Sequence, residues 1–169
     1  SITSPQATDK LSKEGKGKEP EIVAPLSSLP VEAHREESEE EITHETDLYD
    51  VVLTNKGGSI KEIRLKRYTD NGKELVLVSN NLPKERISDI YEFDSADLSG
   101  VLYNVQRDKD SVIYTYTKEG EFRIVKKFIF HNSKYIIDIQ LSIQNLDTNA
   151  KEYKYRLTGG SRISKPSHM

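Results

Sequence analysis

The chain has 169 residues, of which 34% are apolar and 31% charged, with a formal net charge of −3. That length suits one domain with a sizeable core and a tail, and the acidic balance argues against a dedicated nucleic-acid binder, which is usually basic. The absence of cysteine excludes disulfides, cysteine nucleophiles and thiolate metal sites, and leaves the redox compartment undecided.

Residues 1–45 carry no aromatic side chain, whereas all nine tyrosines and four phenylalanines lie beyond them. Residues 10–18 are rich in lysine, glycine and glutamate, three prolines fall in 20–30, and residues 35–41 read REESEEE. Such sequence cannot bury enough apolar area to offset an ordering cost of roughly 1 to 2 kcal/mol per residue. It predicts a disordered charged linker over 1–45 and a folded domain over 46–169. No apolar run approaches the roughly 18 to 20 residues that span a bilayer, and no signal-peptide h-region follows Ser1.

From residue 46 the pattern is that of strands. Residues 48–68 read LYDVVLTNKGGSIKEIRLKRY, two apolar and β-branched runs around Asn55, Lys56, Gly57 and Gly58. Glycine reaches positive φ without a Cβ penalty and asparagine tolerates it, so the segment reads as a β-hairpin. Residues 80–100, polar and holding Pro83, predict a short helix or an irregular excursion rather than a core strand. Residues 112–117 supply a further strand, and Lys118, Glu119 and Gly120 turn the chain. The next strand, 122–131, puts Phe122, Ile124, Phe128 and Phe130 on one side. Lys126 interrupts that side and is expected to snorkel or to sit at an edge. Residues 131–134 read as a tight hairpin loop.

The clearest strand covers 135–145. There Tyr135, Ile137, Ile139, Leu141 and Ile143 alternate with Ile136, Asp138, Gln140, Ser142 and Gln144, which predicts a buried odd-numbered face. Residues 152–158 supply a last strand. Closely spaced strands separated by turn signals predict an all-β fold, an antiparallel β-sandwich.

Candidate chemistry is sparse. His34 and His44 fall in or beside the linker and His168 is penultimate, which leaves His131 in a turn as the domain histidine. Sugar acid/base chemistry needs a histidine paired with a carboxylate inside a cleft, and the sequence offers no such pair. Asp89, Glu92, Asp94 and Asp97 cluster, but without the spacing or glycine of an EF-hand, so they read as a solvated acidic loop. Lys56, Lys61, Arg64, Lys66 and Arg67 make the hairpin basic. They read as an exposed, charged sheet face that discourages edge pairing, with contact to anionic lipid headgroups as the other possibility. No Walker, H-E-x-x-H or G-x-S-x-G motif is present.

One string carries a family likeness. An extended strand, the turn Thr54, Asn55, Gly57, Gly58, a basic-apolar strand with Ile60, Ile63 and Leu65, and a closing Tyr68 stand in that order. So do the strand over 135–145 ending at Asn145 and the passage YRLTGGS over 155–161 with Gly159 and Gly160. Together they resemble the periplasmic domain of the YidC membrane protein insertase family, over roughly residues 45–164. The resemblance implies a supersandwich of the galactose-mutarotase-like type, incomplete here at its C-terminal side, with a membrane anchor ahead of Ser1 and transmembrane helices beyond Met169. It also implies a non-catalytic extracytoplasmic domain of an insertase and chaperone that assists insertion and folding of integral membrane proteins, alone or with the Sec translocon. Nascent membrane proteins and Sec components would be its partners, and the periplasmic side of the bacterial inner membrane its location. No cofactor, metal or catalytic residue is implied. Two other readings remain open: a carbohydrate-binding or carbohydrate-active sandwich, which needs an aromatic-lined cleft, and an unrelated solute-binding or adhesion sandwich.

Overall fold

The computed structural model describes residues 38–79 and 86–159, and these form ten strands with no helix. They are β1 (Glu41–Glu45), β2 (Tyr49–Thr54), β3 (Ser59–Asp70), β4 (Lys73–Ser79), β5 (Ile90–Phe93), β6 (Asn104–Asp108), β7 (Ser111–Lys118), β8 (Phe122–Phe130), β9 (Ile137–Asn145) and β10 (Tyr155–Leu157). Expectations for residues 1–37, 80–85 and 160–169 lie outside the described residues.

Two four-stranded antiparallel sheets, β1-β2-β3-β4 and β6-β7-β8-β9, form the sandwich, and β10-β5 makes a small third sheet. One apolar cluster joins them. It takes Tyr49, Val51 and Leu53 from β2, Ile60 from β3, Ile90 and Phe93 from β5, Val112 and Tyr114 from β7, and Phe122, Ile124, Phe128 and Phe130 from β8. Alternation explains β2, whose odd-numbered residues point inward while Asp50 and Val52 are only half-buried. Fully burying such side chains contributes about 1.5 to 3 kcal/mol each, so β2, β7 and β8 carry most of the driving force.

Four expectations are corrected. Strand β1 starts at Glu41, inside the segment assigned to the linker: Ile42 is buried in the core and β1 pairs with β2 along its whole length. His44 therefore belongs to the domain, where its ring stacks on Phe130 at 4.1 Å between centroids. Residues 90–93, expected to be irregular or helical, form β5. Its ends Ile90 and Phe93 are both buried, since the chain dips into the sandwich there before turning out.

Lys126 neither snorkels nor lies at an edge. It occupies the middle of β8 between Tyr114 of β7 and Leu141 of β9, with 0% exposure. Finally, the odd-numbered face of β9 is not fully buried. Phe128 and Ile124 of β8 stand beside Ile139 and Ile143, so the faces match, yet Ile139 stays 38% exposed and Ile137, Leu141 and Ile143 only pack against the core's margin. β9 is an outer strand of its sheet among the described residues, as β4 is of the other.

Candidate functional site

Between these outer strands lies a groove of about 470 Å³ lined by Tyr49, Ile63, Leu65, Tyr68, Leu77, Tyr135 and Ile137. Ile63 and Leu65 come from β3, Leu77 from β4 and Ile137 from β9, all from positions left half-covered at the sandwich margin. Tyr68 sits where β3 slips its register against β4, between the pairs Leu65–Leu75 and Thr69–Glu74. Such an irregularity re-aims side chains. It leaves Tyr68 51% exposed, edge-on to Tyr135 at 5.8 Å, and Tyr135 itself is 45% exposed.

Tyr49 floors this row at 6.4 Å from Tyr135. Its hydroxyl donates to the Ile136 carbonyl at 3.0 Å and accepts from the His131 amide at 3.3 Å, which fixes the entry to β9. Burial pushes the Tyr49 phenol above its ordinary pKa, so it is a neutral donor. The groove thus presents three aromatic rings and four aliphatic side chains. Such a lining is apolar and aromatic, and its side chains carry no ionised group.

The turn singled out in the sequence lies elsewhere, at the buried heart of the molecule. Gly57 and Gly58 take φ of 77° and 54°. A Cβ on Gly57 would fall 2.1 Å from Asp89 Oδ1 and 2.8 Å from the Ser99 carbonyl; on Gly58 it would fall 3.0 Å from Tyr114 Cβ. Asn55 is wholly buried: its Oδ1 accepts from the Glu40 amide at 2.8 Å, its Nδ2 donates to the Ser38 carbonyl at 3.0 Å, and its own carbonyl accepts from Gly58 and Tyr103. Thr54 Oγ1 accepts from the Lys56 amide and donates to Glu39. These residues shape the turn.

Asn145 organises the far end of β9, accepting from the Tyr153 hydroxyl and the Asp147 amide and donating to the Asn149 carbonyl. Gly159 is exposed, and Gly160 lies outside the described residues. Ile63, Leu65 and Tyr68 of the first string, with Tyr135 and Ile137 at the start of the later strand, are thus the members that reach the groove.

His131 does have a carboxylate neighbour, contrary to the expectation: its Nε2 lies 2.8 Å from Asp138 Oδ2, both on the surface. The pair does not line the groove. Burial lowers the His44 pKa, with Asp110 opposing.

The four carboxylates are not brought together as ligands. Asp89 is buried against Gly57, Glu92 pairs with Arg156 at 3.1 Å, Asp94 with Lys151 at 3.4 Å, and Asp97 accepts from Ser99. No group of three or more potential metal ligands forms among the described residues. The basic hairpin is largely neutralised by partners: Lys56 by Glu39, Lys61 by Glu41, Arg64 by Glu62 and Glu74, and Lys66 by Asp50 at 2.8 Å. Ion pairing of this kind suits a charged sheet face that discourages edge pairing better than one held free for lipid headgroups.

The described residues thus form an antiparallel sandwich with an open aromatic groove at its margin and a buried glycine turn. Residues 41–165 match the YidC periplasmic domain family, and the chain belongs to it. Similar proteins include three named membrane protein insertase YidC. That of Syntrophus aciditrophicus (strain SB) is 30% identical over 92% of this chain and 34% of its own length. Those of Geotalea uraniireducens (strain Rf4) and Citrifermentans bemidjiense are 29% and 28% identical, over 70% and 73% of this chain and 25% of each relative. The chain therefore spans between a quarter and about a third of the length of the curated relatives it matches.

Proposed function

We propose that this chain is the extracytoplasmic β-sandwich of a membrane protein insertase. In this reading the parent protein is held in the bacterial inner membrane and the sandwich stands on the periplasmic side. The domain is non-catalytic. It assists insertion and folding of integral membrane proteins, alone or with the Sec translocon, by offering a contact surface to emerging membrane proteins or to Sec components. The observation that carries this reading is the groove between β3, β4 and β9, with Tyr68 and Tyr135 half-exposed at its mouth. Apolar surface of that kind suits a hydrophobic segment.

The carbohydrate reading gains the aromatic lining that the sequence did not promise, and loses on hydrogen bonding. The groove wall between the rings is Ile63, Leu65, Leu77 and Ile137, and the Tyr49 hydroxyl is already engaged twice. Sugar hydroxyls need several convergent polar groups.

A photo-reactive residue placed at position 68 or 135 of the full-length protein tests the proposal in cells. Adducts with nascent membrane proteins or Sec components are expected. If neither forms, while a soluble oligosaccharide protects both positions from labelling, the sugar reading replaces it.

A further inference from the structure

The sheet edges of this molecule are not equally protected. An exposed edge strand offers unpaired N–H and C=O groups to any other strand, and shortness, charge or a register break normally guards it. β1 is five residues long and is bounded by Glu41 and Glu45. β6 is as short and carries Arg107 and Asp108. β4 begins with Lys73 and Glu74, and its ladder with β3 shifts register twice. β10 has three residues.

β9 has none of these guards. It runs for nine residues without proline or glycine, a straight edge of about 30 Å. Its ladder with β8 is unbroken from the pair Phe130–Ile137 to the pair Phe122–Asn145, so no bulge turns the edge away. Its one charged side chain is Asp138, whose Oδ2 already lies 2.8 Å from His131 Nε2. Among the described residues, the far edge of β9 pairs with no strand. The strand is also its own complement. Let a second β9 lie antiparallel to the first, with Leu141 on the two-fold axis. Leu141 then faces its own copy, Ile139 faces Ile143, Gln140 faces Ser142 and Asp138 faces Gln144. Apolar residues meet on the inward face, hydrogen-bonding residues meet on the outward face, and no like charges meet. An axis between two residues would set apolar against polar side chains. An axis at Ile139 or Ile143 would leave only residues 137–141 or 141–145 paired.

We propose that two copies of this chain associate through β9, edge to edge and antiparallel about Leu141. The two sheets then join into one, in the order β6-β7-β8-β9-β9-β8-β7-β6. Main-chain hydrogen bonds supply the affinity, and the alternation of side chains supplies the register. A two-fold contact uses the same surface on both copies and closes on itself, so it ends at a dimer rather than a fibre. No free charge on β9 selects a foreign strand, whereas self-pairing matches every position from 138 to 144. The contact uses the backbone edge of β9 rather than the groove lining, so it stands or falls separately from what the groove holds.

Sedimentation equilibrium of the 169-residue chain over a concentration series should show reversible dimerisation. Gln140→Lys with Ser142→Lys sets like charges opposite each other at both symmetry-related pairs and should weaken the dimer by about tenfold or more. Gln140→Lys with Ser142→Glu sets opposite charges at the same places and should restore it. The chain has no cysteine, so single cysteines report the register. The two copies of position 141 stand roughly 4.5 to 5.5 Å apart at Cα, and Leu141→Cys should cross-link with a short bifunctional thiol reagent. The two copies of position 144 stand about 20 Å apart, and Gln144→Cys should not. A monomer at every concentration, a dimer unmoved by the paired lysines, or equal cross-linking at 141 and 144 overturns the proposal. Should the lysine variant fail to fold, the two cysteine variants decide. Protection of the β9 amides from exchange in the full-length protein, without self-association, would mean that another segment covers the edge, and that also overturns it.

Discussion

The β2–β3 turn and the loop from β8 to β9 each join two apolar strands, and they end in opposite surroundings. Residues 55–58 are packed under Tyr103, Asp89 and Ser99, with every Asn55 polar atom engaged. The β8–β9 loop stays at the surface, and the strand that leaves it keeps Ile139 more than a third exposed. Both places look alike in the sequence, as turn residues between β-branched runs. The difference lies in what the other sheet places across them. Alternation fixes which residues share a face; it does not fix whether anything covers that face.

The sharpest break of this comparison uses glycines of equal φ. Gly57 and Gly72 both sit at 77°, but a Cβ on Gly57 meets Asp89 and Ser99 whereas one on Gly72 meets nothing within 4 Å. Gly57→Val should therefore add steric overlap to backbone strain and cost about 3 to 5 kcal/mol. Gly72→Ala should cost about 1 kcal/mol from the backbone alone. Chemical denaturation of both variants checks this. Equal losses would mean that the buried setting of the first turn adds nothing.

A second test compares two isoleucines on the same face of neighbouring strands. Ile124 of β8 is wholly buried and Ile139 of β9 is not. Ile124→Ala should cost about 3 to 4 kcal/mol, within the range for buried large-to-small changes, and Ile139→Ala about 1 kcal/mol or less. If Ile139→Ala proved as costly, this part of the sandwich margin would be covered in solution.

Much of the fold was legible because it rests on local pattern. The alternation of β2, β8 and β9 and the glycine turn could be read directly. β1 escaped because its five residues are mostly polar and become a strand by pairing with β2, which no short window records. β5 escaped for a related reason: Ile90 and Phe93 are flanked by carboxylates, and their burial is decided by the tertiary path. Lys126 was misjudged because a lysine within an apolar run carries no sign of the three carbonyls that receive it; those come from residues 38 to 69 positions away. The groove was illegible for the same reason. Tyr49, Tyr68 and Tyr135 meet only because both sheets leave outer strands at one margin.

The smallest expected effects distinguish two buried tyrosines, one at each region. Tyr49 closes the groove floor with two hydrogen bonds, to Ile136 and from His131. Tyr114, beneath the glycine turn, packs edge-on to Phe128 at 5.9 Å, and its buried hydroxyl has no hydrogen-bond partner among the described residues. Tyr49→Phe removes two part-buried hydrogen bonds, to the Ile136 carbonyl and from the His131 amide, and should cost about 1 kcal/mol, loosening the entry to β9. Tyr114→Phe keeps the ring contacts and removes a desolvated hydroxyl that gains nothing by burial. It should change stability by no more than about 0.5 kcal/mol, or raise it slightly. Thermal unfolding of the two variants under one condition measures the difference. A loss at Tyr114 as large as that at Tyr49 would show that its hydroxyl has a partner in solution, and the region under the turn would then be held by polar contacts as well as by packing.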